Sequence, residues 1–420
     1  MNAQTHYDKG LSHYLLKTPK KDVSIAIKHF EEAVAQEHPD AHFFLGRFYG
    51  LGDGVTLDVH QAMDYYHQGL RLGSHKCGYA LGMLYYSGFG VDKDENRADD
   101  YFKQNYRALL LEAETGDPVS MHLMGTYYYY GFYVQRYIYS AIEWFLKASE
   151  RGYSDAQYML GMIYETIGEN PEQKEKAYHY YELAAKQGHP YAQYALGILA
   201  IENEDYHYAI KYLEMAAYQQ YALAAYTLAK IYHEREPKNP KKAFDWFLVA
   251  AQQNHVEACY YVGLYYHNGR GVKQDLKLAI YWYEKAAMKD DRDALYHLAM
   301  ILMKEPNQDF SVIFKLLERA ALLNHPNAQY NLAVMYQKGD GVTQNEQLAF
   351  QWYEKAANQD LAIAQYNLGM LYFEGRIVEK DEIKAKALWQ KAADQNFEPA
   401  VKLMYSINNY EKLQKSPWQS

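Results

Sequence analysis

Apolar positions along this chain recur with a helical period and then repeat as blocks. Each block opens with A-x-x-x-L-G-x-x-Y, whose Ala, Leu, Gly and Tyr share one helical face. It closes with A-x-x-W-[YF]-x-K-A-A, in which Ala and aromatic residues form a second apolar stripe. Between the two lies G-x-G-V, a turn whose glycines tolerate positive φ, followed by polar residues that lead into the next helix. The stretch Ala364–Ala393, AQYNLGMLYFEGRIVEKDEIKAKALWQKAA, is nearly restated at Ala328–Ala357, AQYNLAVMYQKGDGVTQNEQLAFQWYEKAA, 36 residues earlier. A fixed period in the 20–50 residue range denotes stacked supersecondary units. The pattern predicts an all-α solenoid of about eleven helix-turn-helix repeats of ~36 residues, plus a C-terminal capping helix near Pro399–Glu411.

The register runs from one end of the chain to the other. First-half anchors include Leu45-Gly46, Leu81-Gly82, Met124-Gly125, Leu160-Gly161, Leu196-Gly197, Leu228-Ala229, Val262-Gly263, Leu298-Ala299, Leu332-Ala333 and Leu368-Gly369. Second-half anchors include Trp144-Phe145, Tyr180-Tyr181, Trp246-Phe247, Trp282-Tyr283 and Trp352-Tyr353. The chain therefore reads as one continuous array over residues 1–420, with 398–420 as cap and tail. The spacing breaks near 103–117, where Gly82 to Gly125 spans 43 residues and predicts a lengthened second helix or loop around Gln104–Thr115. It breaks again near 200–240, where Gly197 to Ala229 spans 32 and the inter-helix loop near Glu202–Asp205 is trimmed.

Composition narrows the class. Hydrophobic residues make up 49% of the chain, which excludes disorder, and no apolar run approaches a membrane span. The opening MNAQTHYDKGLSHYLLK lacks a basic stretch followed by an apolar one, so no secretory signal is expected. Cys77 and Cys259 are the two cysteines and stand in different repeats, which implies neither a disulfide framework nor a thiolate metal site and fits a reducing cytoplasm. A net charge of −9 argues against nucleic-acid binding. Tyrosine is the outlier, with 46 residues.

The phrases A-x-Y-x-L-G-x-x-Y-x-x-G-x-G-V and A-x-x-W-Y-x-K-A-A at this period resemble the Sel-one-like repeat, a relative of the tetratricopeptide repeats with a longer loop between its helices. The resemblance covers essentially the whole chain, although the repeats anchored at Gly161, Gly197, Ala229 and Ala299 lack G-x-G-V. It implies a right-handed superhelix of bacterial origin that acts as a non-catalytic adaptor or scaffold, gripping a protein or peptide on its concave groove. An immunity or antitoxin-type protein that sequesters a toxic effector is the alternative. A β-lactam-binding or hydrolysing enzyme is a further one, but the paired cysteines of the relatives concerned are missing here.

If first helices line the concave face, as in tetratricopeptide geometry, the third residue before each anchor points toward the groove. That position reads Phe43, Tyr79, His122, Tyr158, Tyr194, Tyr226, Tyr260, Tyr296, Tyr330 and Tyr366. Tyrosine suits an interface because it offers a rigid ring and one hydroxyl, and it equally suits packing between neighbouring helices. The residue after each anchor includes Met83, Met162, Met300 and Met370, an adaptable apolar surface if it faces the groove. Tyr86 and Phe373 join this candidate set. The densest aromatic stretch is Tyr127-Tyr128-Tyr129-Tyr130, with Tyr133, Tyr137 and Tyr139 behind it. Tyr128 occupies the tyrosine slot of the repeat, which leaves Tyr129 and Tyr130 as the candidate hot spot.

Catalytic and cofactor motifs are missing from the sequence. None of the glycine turns continues as G-K-[ST], and neither G-x-S-x-G nor H-E-x-x-H occurs. His38 and His42 stand four apart, but Pro39 between them argues against a metal pair. The expectation is no enzyme activity, no cofactor, no metal and no membrane insertion, with a protein or peptide partner and a monomer or weak dimer in the cytoplasm.

Overall fold

The computed structural model describes residues 1–15, 23–168, 170–235 and 238–414, the last four without their side chains. Within them stand 23 α-helices, from Ala3–Leu15 to Glu398–Gln414, and no strand. They pair as eleven antiparallel hairpins with a final single helix, and the chain divides into two compact units, residues 1–224 and 225–420. The tail residues 415–420, and residues 236–237 of the expected irregular stretch, lie outside the described set.

Most hairpins share the same local chemistry, the second helix Ile138–Glu150 being an exception, since its N-cap Tyr137 makes no side-chain cap bond. Second helices start where an Asp or Asn side chain accepts the backbone amide three residues on, as at Asp58, Asp94, Asp275, Asn345 and Asp381. First helices with the full loop end on a glycine in the left-handed region, such as Gly339 at φ 82°. The anchor glycine answers to packing instead. A Cβ on Gly161 would sit 2.4 Å from the Tyr181 ring, so only glycine lets the two helices of that hairpin close over a fully buried tyrosine. Each such ring withdrawn from water contributes about 1.5–3 kcal/mol.

Neighbouring repeats are joined by buried glutamines, the Gln of the A-Q-Y phrase. Gln329 and Gln365 each donate to the carbonyl eight residues back, Ala321 at 3.2 Å and Ala357 at 3.3 Å. Their own carbonyl oxygens accept from Gln359 and Gln395 in the following turn, at 2.7 and 2.9 Å. These bonds satisfy polar groups that would be costly to bury alone.

The spacing anomalies resolve as expected. The surplus near 104–115 is helical: Glu95–Glu114 runs 20 residues against 12 or 13 in most second helices. Seven extra residues advance the helix by about 10 Å. The next repeat therefore packs further along it, with Phe132 stacked on Phe102 at 4.1 Å and the Tyr127 hydroxyl donating to the Phe102 carbonyl at 2.9 Å. The loop near 202–205 is a three-residue turn between Pro190–Glu202 and Tyr206–Tyr218.

In the first helix that follows the lengthened one, Pro118–Tyr130, the aromatic run divides by burial. The fully buried position of this first helix is Tyr127, while Tyr128 is half-buried and shares a hydroxyl contact of 3.2 Å with Tyr106. The core takes the residue two after the anchor, as Phe48, Tyr265 and Met335 also show. The tyrosine three after it packs on a ring of the partner helix, as Tyr85 does on Tyr101 at 5.9 Å.

Candidate partner-binding surface

The tyrosines before the anchors are drawn mostly into contacts between repeats. Tyr158, Tyr226 and Tyr296 lie flat on His189, His255 and His325, at 4.8, 4.4 and 4.4 Å between ring centres. Tyr7, which holds the same position before Gly10, stacks on His38 at 4.3 Å. Each of these histidines is the N-cap of the following first helix, and Nδ1 of His189, His255 and His325 accepts the third amide of that helix. The other rungs differ in partner. Tyr79 is buried with its hydroxyl 2.6 Å from Thr126, Tyr194 packs edge-on to Tyr221, and Tyr260 meets His297. Tyr330 and Tyr366 lie against Tyr353 and Phe397.

Met83, Met162 and Met370 are half-buried against core clusters, and the Met300 sulfur accepts from Asn331 at 3.3 Å. Tyr86 and Phe373 keep about two fifths of their surface exposed, at 39% and 43%. Phe373 covers Trp389 at 5.6 Å, and Tyr86 meets Phe132 at 4.9 Å.

Two polar clusters inside residues 1–224 went unread in the sequence. In one, Arg47 Nη2 approaches Asp155 Oδ2 at 2.7 Å, three repeats further along the chain. This is a close charge contact rather than an aligned hydrogen bond, since Oδ2 has no donor in hydrogen-bonding geometry. His189 completes the group by donating Nε2–H to Asp155 Oδ1 at 3.1 Å. Burial alone would raise the Asp155 carboxyl, but Arg47 and then His189 hold it well below the usual carboxylate range. Tyr153 and His122 are buried alongside, and desolvation lowers the His122 imidazole to about 4.

In the second cluster, Lys76 is almost fully buried and reaches Asp40 at 2.6 Å, Glu112 at 2.8 Å and Asp117 at 3.4 Å. Burial pulls its pKa down, but these carboxylates outweigh it and keep the ammonium charged. Glu112 belongs to the two extra helical turns and also accepts from Ser120 at 2.7 Å. Among the described residues no group of three or more His, Cys, Asp or Glu is arranged to hold a metal ion.

The surface left uncommitted lies where the lengthened helix displaces the next repeat. Tyr130, Tyr133, Tyr137 and Tyr139 are 45%, 52%, 56% and 65% exposed, and Tyr129 is half-buried beside them. Tyr133 stands where Gly54, Gly90, Gly271 and Gly341 stand in the full loops, and it keeps their left-handed conformation at φ 57°. For a bulky residue this backbone costs about 1–2 kcal/mol. The Tyr133 ring is held edge-on to Tyr106 at 5.3 Å, and Tyr130 stacks over Phe132 at 5.2 Å. On the far side of Tyr129 a cavity of about 420 Å³ opens, walled by Arg136, Tyr137, Tyr139, Ile163 and Ile167.

Comparison with known proteins follows the same repeats. The Sel1 repeat matches residues 7–38, 39–74, 78–104, 118–153, 154–189, 190–221, 222–255, 256–291, 326–361 and 362–397. The unmatched stretch between 104 and 118 is the insertion. The one between 291 and 326 folds as a hairpin all the same, Arg292–Leu302 with Phe310–Leu322. The crystal structure of a protective antigen from uropathogenic Escherichia coli, described as an SLR fold, superposes with a TM-score of 0.63 at 27% identity, over 98% of this chain and 88% of that one. The chitin synthase regulator SKT5 of Saccharomyces cerevisiae is 29% identical over 49% of this chain and 33% of its own length. An uncharacterised Neisseria meningitidis protein is 28% identical over 48% and 42%. The chain thus spans a third to two fifths of these curated relatives. Among the described residues no helix is long and apolar enough to cross a membrane. Proteins of this repeat class generally mediate protein–protein interaction and are typically non-catalytic. By the extent of the match and the register of its helices, the chain belongs to the Sel1 repeat family.

Proposed function

We propose that this protein is a non-catalytic scaffold that holds a protein or peptide partner, and that its main contact is the aromatic surface around Tyr130–Tyr139. The observation that carries this reading is the group of exposed tyrosines at the one lengthened repeat. Contiguous exposed aromatic surface marks interaction sites, and tyrosine anchors are enriched among the residues that dominate binding energy. The pre-anchor tyrosines support the same assignment by exclusion, since their rings are engaged by the next repeat. In residues 1–224 the inward position at Arg47 is likewise engaged by Asp155. The yeast relative is by name a regulator of a synthase and not itself the synthase, which agrees with an accessory role.

A photo-crosslinking residue placed at Tyr139 and, separately, at Tyr281 in the native host tests the site. A discrete adduct from Tyr139 and none from Tyr281 is the expected result. Equal labelling from both positions removes the assignment. The adaptor reading itself fails if no discrete adduct forms at either position and the purified protein carries no stoichiometric partner.

A further inference from the structure

The cavity beside Tyr129 has a chemistry that selects among protein ligands. Its apolar lining is Ile163, which is buried, with half-buried Ile138 and exposed Ile167, and these β-branched side chains are stiff. The walls are tyrosines: Tyr137 and Tyr139 present rings 5.9 Å apart at 60°, and Tyr129 meets Tyr130 edge-on at 4.9 Å. Arg136, whose guanidinium lies 5.8 Å from the Tyr129 ring, is the one charged residue in the lining, and no carboxylate faces it there. In a chain with a net charge of −9 this is a local inversion of sign.

We propose that this cavity binds an extended, proline-rich peptide segment carrying a carboxylate. The inference rests on the scaffold reading above and names its ligand class. A polyproline II segment is extended, with three residues per turn and a rise of ~3.1 Å per residue, and suits a cavity lined by tyrosines. Such a segment makes no internal hydrogen bonds, and its carbonyls accept from tyrosine hydroxyls. A helical ligand has its backbone donors and acceptors already paired and offers none to a tyrosine hydroxyl. Proline rings lie flat on aromatic faces, and the preformed conformation loses little entropy on docking. Arg136 pairs with the ligand carboxylate and sets which end of the segment lies over the loop.

The loop supplies the rigidity. Tyr133, strained at φ 57° and braced by Tyr106, fixes the path of the chain from Gly131 to Tyr137. Stored strain of this kind accumulates where geometry is held for binding. The Tyr137 N–H to Tyr128 carbonyl bond at 2.9 Å pins the other end of the same segment.

Fluorescence anisotropy on the full chain decides the matter with three labelled peptides: a proline-rich one bearing glutamates, the same peptide with glutamine in their place, and an amphipathic helix-former. Saturable binding of the first is expected. It should weaken about tenfold or more in Tyr137→Ala/Tyr139→Ala, as removal of aromatic anchors does. Arg136→Gln should reduce binding of the glutamate peptide to the level of the glutamine one. Unchanged circular dichroism and melting keep the variants interpretable. The proposal is overturned by absence of saturable binding, by binding indifferent to the double substitution, or by tighter binding of the helix-former at this cavity. If the Tyr139 crosslink to a native partner forms while the proline-rich peptide does not bind, the scaffold reading stands and the ligand class falls. If both fail, both are withdrawn.

Discussion

Residues 1–224 and 225–420 use one repeat in two ways. Both units share two junction contacts. One is a ring before the anchor stacked on a capping histidine, Tyr7 on His38 and Tyr158 on His189 in the first and Tyr226 on His255 and Tyr296 on His325 in the second. The other is a neutral Gln–Gln latch, at Gln157 and Gln193 in the first and at Gln329 and Gln365 in the second. The first unit also varies at these positions. Phe43 and His122 stand where the second unit has only tyrosine, and charged groups are buried as well, with Arg47–Asp155–His189 and Lys76 among three carboxylates. Around the 43-residue interval the first unit adds buried charged contacts to these neutral ones, and aromatic residues are left over at the surface.

The sharpest way to break this comparison is Asp155→Ala. It strips the counter-charge from Arg47, whose side chain is about a quarter exposed at 26%, and the hydrogen-bond acceptor from a buried His189. Removing one partner of a buried pair costs about 3–5 kcal/mol, because the remaining charge is left without compensation. Urea unfolding with segment-resolved hydrogen exchange should show the loss of protection concentrated in residues 1–224. A change below about 1 kcal/mol would show that the charged contact does not hold this unit together.

Leu368→Ala makes the matching cut in the second unit. Leu368 is 2% exposed and packs within its cluster, so truncation should cost about 2–5 kcal/mol. In an array whose units touch only their neighbours the damage stays local. Exchange should therefore accelerate in residues 326–410 and much less in 240–300. Uniform acceleration across the unit would mean that its neutral contacts act as one cooperative block.

A third prediction uses pH. Burial depresses the His122 imidazole from 6.5 to about 4. Between those values the unfolded chain binds a proton that the folded unit does not, so stability falls as pH drops through that window. At pH 4.5 the loss is on the order of 2 kcal/mol from this group alone. Asp155 adds nothing there, because its carboxyl is held below the usual range and its contribution is lost only at lower pH. His122→Leu, a swap of similar size, should reduce the pH 7 to 4.5 difference for residues 1–224, leaving the part due to His29, His38 and His67, which burial also lowers. An unchanged slope would assign the acid sensitivity to other groups.

Much of this was legible before any coordinates. The 36-residue period announced the hairpins, the 43-residue interval located the long helix, and the aromatic density at 127–139 pointed at the surface proposed for binding. Tyr128 was legible as the repeat tyrosine, but the deeper burial of Tyr127 was not, because adjacent residues on a helix differ by about 100° and the repeat pattern assigns no role to position 127. Histidine is not an ordinary N-cap, so the pairing of each stacked tyrosine with a capping histidine carried no signal of its own. Lys76 and Asp40 stand one period apart with opposite charge, a signal that a register-aligned search for charge pairs would have found. Arg47 and Asp155 come from repeats three apart, and such a meeting depends on how several repeats stack, which no local pattern records.

The smallest effect is also the one that separates structural tyrosines from available ones. Tyr296 is half-buried and stacked on His325 at 4.4 Å, so Tyr296→Ala loses burial and a ring contact together, about 2 kcal/mol. Tyr139 is 65% exposed, and its ring contact is with Tyr137, itself 56% exposed. Tyr139→Ala should change stability by less than about 0.5 kcal/mol, the range of surface substitutions away from packed features. The pair of melting curves sets the comparison on one scale: identical chemistry removed, one residue holding a repeat junction and the other holding nothing within the chain. A large loss at Tyr139 would return that ring to the architecture and take the binding surface with it. A negligible one leaves an exposed, rigidly mounted tyrosine whose energetic role lies outside the folded chain.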